Sequence, residues 1–320
     1  MRAWCGGDVA AGGGSFWGDW AEPCLEFAMI RFLLLLLAGF GAVPAAAAMP
    51  AFHSNRISVE VRGSGPDVVL IPGLSSSPRV WDSTIAALPG YRYHLVHVSG
   101  FAGQAAGGNA QGPVLAPVAE EIARYISEGH LTNPAIVGHS MGGSWAIMVA
   151  GRHPGRVSRV MVVDMMPFLG AMFAAPGATP DSVRPIAEQI RNGIATTTGE
   201  ARRAQITQTI AGMVRTEALR APIVEHSLTS DPVVSGQGFY DLVTTDLRPD
   251  LANIHVPLTV LYVLPAGAPL TAEQMDGFYR QSYAGAPQAV LRRIPDSYHF
   301  VMLDQPAVFQ AALRAFLQPS

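Results

Sequence analysis

Cysteine is almost missing from this chain. Its 320 residues hold two, Cys5 and Cys24, and both lie within the first 28 positions. A domain built from the remainder has no disulfide, no thiolate nucleophile and no cysteine metal ligand, which excludes cysteine hydrolases and thiolate-held metals. Charge is scarce too. Asp, Glu, Lys and Arg make up 14% of the residues, and the net charge is −3. That balance gives no basic surface on which nucleic acid would be held. Long apolar runs are also lacking. The stretch from Phe32 to Val43 falls well short of the ~20 residues needed to span a bilayer. The sequence shows no repeat of fixed period, no metal-ligand spacing and no dinucleotide fingerprint.

What is present begins with an export pattern. Residues 29–48 read as a secretory signal peptide: Met29-Ile30-Arg31 is a positive start, Phe32 to Val43 an apolar centre, and Ala46-Ala47-Ala48 a small-residue cleavage site. The expected location is periplasmic or secreted, or membrane-anchored if the segment stays uncleaved. Residues 1–28 are rich in Gly and Trp and carry Asp8, Asp19, Glu22 and Glu26. They do not suit the front of a signal peptide, and are expected to be an upstream extension from a wrongly assigned start. The folded domain is then 49–320.

Within it, apolar segments alternate with helical patterns. Strands are expected at Arg56–Val61, Asp67–Ile71, Tyr91–Val98, Ala135–Val137, Val157–Val163, Val256–Val263 and Ala289–Ile294. Helices are expected at Val80–Leu88, Val118–Glu128, Trp145–Arg152, Thr271–Tyr283 and Pro306–Phe316. Such alternation implies an α/β fold: a mostly parallel central sheet flanked by helices, with its site beyond the carboxyl ends of the strands. Between about 167 and 250 the pattern changes to helices alone, at Val183–Asn192, Glu200–Val214 and Gly238–Thr244. This is expected to be a helical cap inserted between two strands, with a separate second domain as the alternative.

One stretch carries chemistry. Ile136-Val137-Gly138-His139-Ser140-Met141-Gly142-Gly143 is a strand turning sharply into a helix with a serine at its apex, the G-x-S-x-G pattern. At such a turn the serine is strained, and side chains two residues before or after it would strike the neighbouring strand and helix. Gly138 and Gly142 avoid this. A serine hydroxyl is a weak nucleophile and needs a base within hydrogen-bond reach. His299, in the loop Pro295-Asp296-Ser297-Tyr298-His299-Phe300, follows the last strand.

Pro72-Gly73-Leu74, the elbow and His299 together resemble the α/β-hydrolase fold superfamily, serine esterase- and lipase-like with a helical cap, over roughly 56–318. The resemblance implies Ser140 as nucleophile, His299 as general base, and an oxyanion hole from the backbone N–H groups of Leu74 and Met141. It counts the strand before the cap as its sixth. One position departs from the family. Many relatives place the acid after the seventh strand in a stretch like Asp-Pro-Leu-Thr, and here that stretch is Ala268-Pro269-Leu270-Thr271. A second solution in the family puts the carboxylate after the sixth strand, where this chain has Asp164. Asp164 is therefore the expected acid, with a role limited to the strand–cap junction as the alternative. His139, His94, His97, Asp246 and Asp250 are expected to be structural, and Asp296 too close in sequence to His299 to serve it.

The implied reaction is hydrolysis of a carboxylic ester of an apolar or small acyl group through an acyl-enzyme, with no cofactor, no metal, and a small-molecule substrate. Phe168, Met172 and Phe173 are candidates for contacting that substrate; packing of the cap against the core is the equal alternative. Amide or carbon–carbon cleavage, acyl transfer, and a non-catalytic binding protein on the same fold stay open. The oligomeric state has no signature in the sequence.

Overall fold

The computed structural model describes residues 52–173, 177–264 and 267–318. The expectations for residues 1–28 and for the signal peptide at 29–48 lie outside them. Seven strands are described: β1 (Ile57–Gly63), β2 (Asp67–Ile71), β3 (Arg92–Val98), β4 (Ala135–His139), β5 (Arg159–Val163), β6 (Leu258–Tyr262) and β7 (Val290–Arg293). They form one sheet in the order β1-β3-β2-β4-β5-β6-β7. Only β1 runs antiparallel, against β3. The hydrophobic patterns match these places. β4 is buried along its whole length, as a strand covered on both faces must be. β1 and β7, at the two edges, are exposed or half-buried along most of their length, with only Ile57 fully buried.

The chain changes direction between β2 and β4. From β2 it goes outward to β3; from β4 it goes the other way, to β5, β6 and β7. The two strands pair with Ile71 opposite Gly138, so the loops that follow them open side by side. That is the switch point where α/β sheets hold their ligands.

Helices flank the sheet: α1 (Asp82–Ala87), α2 (Leu115–Glu128) and α3 (Met141–Arg152) come before β5. α2 begins three residues earlier than the pattern predicts, because Pro117 stands in a first turn, where a missing N–H costs nothing. Its start is capped by Asp241, whose Oδ2 accepts the N–H groups of Val114 at 2.6 Å and Leu115 at 3.0 Å. α3 is buried from Met141 through Gly151. It carries no amphipathic period, so its start is announced in the sequence by the elbow rather than by an apolar stripe.

Between β5 and β6 the chain is helical, as expected: α4 (Pro180–Thr196), α5 (Gly199–Met213), α6 (Arg220–Thr229), α7 (Pro232–Thr244) and the short α8 (Arg248–Leu251). α4 opens with a reciprocal cap between Thr179 and Ser182, and α7 with Asp231 accepting from Val233 and Val234. Pro180 and Pro232 each sit in a first turn. α6 has no counterpart in the sequence pattern. Ile223 is its one buried residue, so it shows no apolar stripe. The contacts of this segment place it in the same unit, Pro50–Ser320, as the sheet. After β6 come α9 (Ala272–Ser282), α10 (Val301–Asp304) and α11 (Pro306–Leu317). No helix among the described residues is long and apolar enough to cross a membrane.

Candidate active site

Ser140 stands between β4 and α3 with φ 54° and ψ −127°, a backbone conformation that costs on the order of 1–3 kcal/mol for a residue with a side chain. The surroundings enforce it. Its N–H donates to the carbonyl of Val163 at 2.8 Å, and its carbonyl accepts from Gly143 at 2.7 Å. A Cβ on Gly138 would come within 2.0 Å of the Gly142 oxygen, and one on Gly142 within 2.2 Å of the Ile71 oxygen. The two glycines therefore clear different neighbours: the first the following helix, the second the adjoining strand.

Asp164 follows β5 directly, also in the left-handed region at φ 53°. Its N–H donates to the Leu261 carbonyl at 2.7 Å, which continues the β5–β6 pairing by one residue and turns the side chain toward the loop after β7. There Oδ2 meets His299 Nδ1 at 2.6 Å. Oδ1 accepts the Val263 N–H at 3.0 Å and the Tyr279 hydroxyl at 3.3 Å. An ionised carboxylate only accepts, so His299 carries its proton on Nδ1 and leaves Nε2 free to take another. Ala268, at the position where relatives often hold the acid, precedes the segment that caps α9: Thr271 accepts the Gln274 N–H and Gln274 returns a bond to the Thr271 N–H.

Two groups hold the histidine loop. His139 Nε2–H donates to the His299 carbonyl at 3.0 Å, and the two rings lie 4.6 Å apart. His139 is wholly buried, and burial, with the neighbouring His299 adding to it, drives its pKa well below the usual histidine value. Its Nδ1 has no partner among the described residues. The second group is Asp304, which accepts the Tyr298 N–H at 2.9 Å together with the N–H groups of Arg215 at 3.0 Å and Thr216 at 2.9 Å. Phe300 N–H donates to the Met213 carbonyl at 3.2 Å. The end of α5 and the histidine loop thus share their hydrogen bonds.

No direct hydrogen bond joins Ser140 Oγ to His299 among the described residues. Such contacts are often long without substrate and close on binding. His139 relates the two. Its Nδ1 and Ser140 Oγ each lie 3.3 Å from where a Cβ of Gly73 would stand. Gly73 could not carry that atom, which would come within 2.8 Å of Ser140 Cβ. The loop after β2 thereby runs against the serine. Met141 opens α3, so its N–H is one of the first-turn donors with no acceptor inside the helix. The side chains of Leu74 and Met141 both approach Gly238 of α7: a Cβ there would lie 3.0 Å from Leu74 Cδ1 and 3.4 Å from Met141 Cε. Ser75 is held at φ 55°, with its hydroxyl 2.8 Å from that of Ser235 on α7 and its carbonyl accepting from Ser230 at 3.3 Å.

The remaining expectations divide. Phe168 does not form an open apolar wall. It is 2% exposed and packs with Ala178, Val183, Ala187 and Val243 inside the cap, with the Arg248 guanidinium 4.9 Å above its ring. This is the packing alternative. Met172 and Phe173 are exposed, at 52% and 39%, and Phe173 meets Phe239 edge to face. His94 is buried between Tyr125 at 2.6 Å and Asp67 at 2.8 Å. Asp246 pairs with Arg248, Asp250 with Arg152, and Asp296 with Arg215. Sequence patterns missed the groups around Asp164 and His299. Tyr279 lies within the expected helix Thr271–Tyr283 with no local signal of its long-range contact, and nothing marks a backbone donor such as Val263 in advance. His139 stood beside the serine, but its contact with the His299 carbonyl is long-range.

The sequence profile described as Alpha/beta hydrolase family matches residues 68–312. Among curated proteins, the chain is similar to the pimeloyl-[acyl-carrier protein] methyl ester esterase of Pectobacterium carotovorum subsp. carotovorum (strain PC1), 27% identical over 81% of this chain and 97% of that protein. It is 29% identical to the protein of that name from Sodalis glossinidius, over 72% of this chain and 90% of the other. Among solved structures, an esterase from Exiguobacterium antarcticum superposes with a TM-score of 0.67 at 22% identity, covering 81% of this chain and 94% of that one. The enol-lactonase from Burkholderia xenovorans LB400 does so with a TM-score of 0.65 at 18% identity, over 82% and 96%. At those identities the superpositions show a shared fold.

Proposed function

The chain belongs to the alpha/beta hydrolase family, and from that premise we propose that it is a serine hydrolase cleaving carboxylic esters through an acyl-enzyme on Ser140. In this reading His299 is the general base, Asp164 the acid that orients it, and the backbone N–H groups of Leu74 and Met141 receive the oxyanion. The observation that carries the reading is the 2.6 Å contact between His299 Nδ1 and Asp164 Oδ2. It fixes the tautomer in which Nε2 is basic, and it favours the imidazolium that forms when the serine proton is taken.

The steps follow from these groups. Ser140 Oγ attacks the ester carbonyl as His299 Nε2 takes its proton. The carbonyl oxygen becomes an oxyanion facing the two N–H donors. The C–O bond then breaks, and His299 returns the proton to the departing alcohol. Water, deprotonated by the same ring, attacks the acyl-serine, and Ser140 leaves with the proton. The curated relatives are named as methyl ester esterases, which supports an ester as substrate and puts methyl esters on the panel to be tested. An apolar or small acyl group agrees with the apolar side chains of Leu74 and Met141 that approach Gly238 of α7.

The test is covalent. The full chain, treated with a fluorophosphonate and weighed intact, is expected to gain one adduct, and Ser140→Ala none. Wild type should hydrolyse short-chain p-nitrophenyl and methyl esters. A folded wild type that neither labels nor turns over an ester would overturn the reading in favour of a binding protein. Export to the periplasm or medium is a second proposal, supported by residues 29–48 alone. The mass of the native N-terminus tests it: a chain starting near Met49 agrees, and one retaining residues 1–48 does not.

A further inference from the structure

We propose that Tyr279 is a positioning residue for this reaction, holding the Asp164 carboxylate so that one oxygen is committed to His299. The inference rests on the triad reading above and deepens it.

A carboxylate at the end of a strand can turn about its last bond and offer either oxygen. Here Oδ1 is occupied from two directions, by the Val263 N–H at 3.0 Å and by the Tyr279 hydroxyl at 3.3 Å, while Oδ2 meets His299 at 2.6 Å. The backbone donor comes with the strand pairing. The phenol has to be delivered by a side chain from α9, and its ring is held in a stack. Tyr262 stacks on it with centroids 4.0 Å apart and planes at 17°, and Tyr283 at 6.3 Å and 8°. Each neighbour has its own acceptor. Tyr262 donates to Asp276 at 2.9 Å, which also receives Arg293 at 2.8 Å. Tyr283 donates to the Met165 carbonyl at 2.7 Å. Of the three hydroxyls, that of Tyr279 is the one that reaches the acid.

Tyr279 is also fit to donate there and nothing else. Burial, then the charge of Asp164, raises its pKa well above the usual phenol value. It stays protonated wherever the enzyme works. The titratable and charged groups around the carboxylate are His299 on Oδ2 with His139 beyond it, Tyr279 and Tyr283 from α9 and its end, and the Tyr262–Asp276–Arg293 group behind the stack. This arrangement goes with the place of the acid. With Ala268 after β6 and the carboxylate after β5 instead, the helix that follows the vacated loop supplies the donor.

Two consequences separate positioning from packing. The hydroxyl shares the carboxylate charge, so its loss concentrates charge on Oδ2 and favours the imidazolium it faces. It also frees the carboxylate to turn, which slows chemistry without weakening substrate binding. The experiment compares wild type, Tyr279→Phe and Tyr283→Phe in the full chain, with hydrolysis of a p-nitrophenyl ester followed across pH. Tyr283→Phe removes a hydroxyl from the same stack without touching Asp164. Tyr279→Phe is expected to lower kcat about 3–10-fold with KM nearly unchanged, and to move the acid limb of kcat/KM upward by about half a pH unit. Tyr283→Phe is expected to lower the melting temperature and leave the limb where it is. Tyr279→Met, which fills the space without a donor, should reproduce the shift.

A limb and kcat equal to wild type in Tyr279→Phe would overturn the proposal while leaving the triad intact, as would an equal shift in Tyr283→Phe. Full turnover by Ser140→Ala in the same assay would overturn the triad and this proposal together.

Discussion

Asp164 and His299 meet at 2.6 Å across 135 positions of sequence, from the ends of different parallel strands. In the proposed triad the acid therefore follows β5 rather than β6, where Ala268 stands. Asp164→Asn keeps the shape but presents an amide. It is expected to lower kcat on the order of 10³–10⁴-fold, with the fold intact by circular dichroism, and to slow fluorophosphonate labelling in parallel. Labelling as fast as wild type would mean that another group orients the histidine.

Burial of His139 makes stability depend on pH. Its folded pKa lies well below the usual value of about 6.5, because burial first and the neighbouring His299 second disfavour its charged form. The unfolded chain therefore takes up the proton first as pH falls. The contribution is fully present above about pH 6.5 and is lost below it, by roughly 1.4 kcal/mol per pH unit until the folded state protonates. Urea unfolding at pH 7.5 and 5.5 should show this fall in wild type. His139→Gln should be less stable at both pH values but flatter between them, by roughly 1 kcal/mol.

The elbow glycines differ from an ordinary helical glycine. A Cβ on Gly142 would lie 2.2 Å from the Ile71 oxygen and 2.7 Å from the Pro72 oxygen, at the root of the loop carrying Leu74. Gly142→Ala is expected to cost more than about 3 kcal/mol and to abolish labelling of Ser140. Gly193 in α4 meets nothing within 4 Å, and Gly193→Ala should be neutral or stabilising by up to about 1 kcal/mol. Thermal melts of the pair make the comparison.

Asp241 belongs to the cap but caps a helix of the core. Its Oδ2 accepts Val114 and Leu115, and Gln237 donates to its other oxygen at 2.7 Å. Asp241→Ala strands two buried N–H groups and is expected to cost about 1–3 kcal/mol in denaturant unfolding. A loss below about 0.5 kcal/mol would mean that water replaces the carboxylate there.

The residues that could be read in advance share a property: their chemistry is local. Ser140 is announced by glycines two residues away, and the buried strands by unbroken runs such as Val68–Ile71. His299 and Asp164 needed the family's order of elements as well, because nothing near either residue names its partner. The groups that complete the site escaped because they act at a distance. Tyr279 reaches back 115 positions to Asp164, and His139 forward 160 to the carbonyl of His299. Phe168 was ambiguous because an apolar residue near a cap can face either a ligand or its own helices, and Val183, Ala187 and Val243 decide that by closing around it.

Asp304 receives the turn at Arg215–Thr216 and the backbone of Tyr298 on one carboxylate. The cap is therefore not a free-standing cassette. A chimera that imports another relative's helices between β5 and β6 brings a foreign turn to this carboxylate. Unless that turn offers its N–H groups at the same place, Asp304 keeps one ligand of three, and the segment bearing His299 loses its brace along with the old lid. Hybrids that respect the sheet boundaries but ignore this junction should fold with an intact elbow and a misplaced His299.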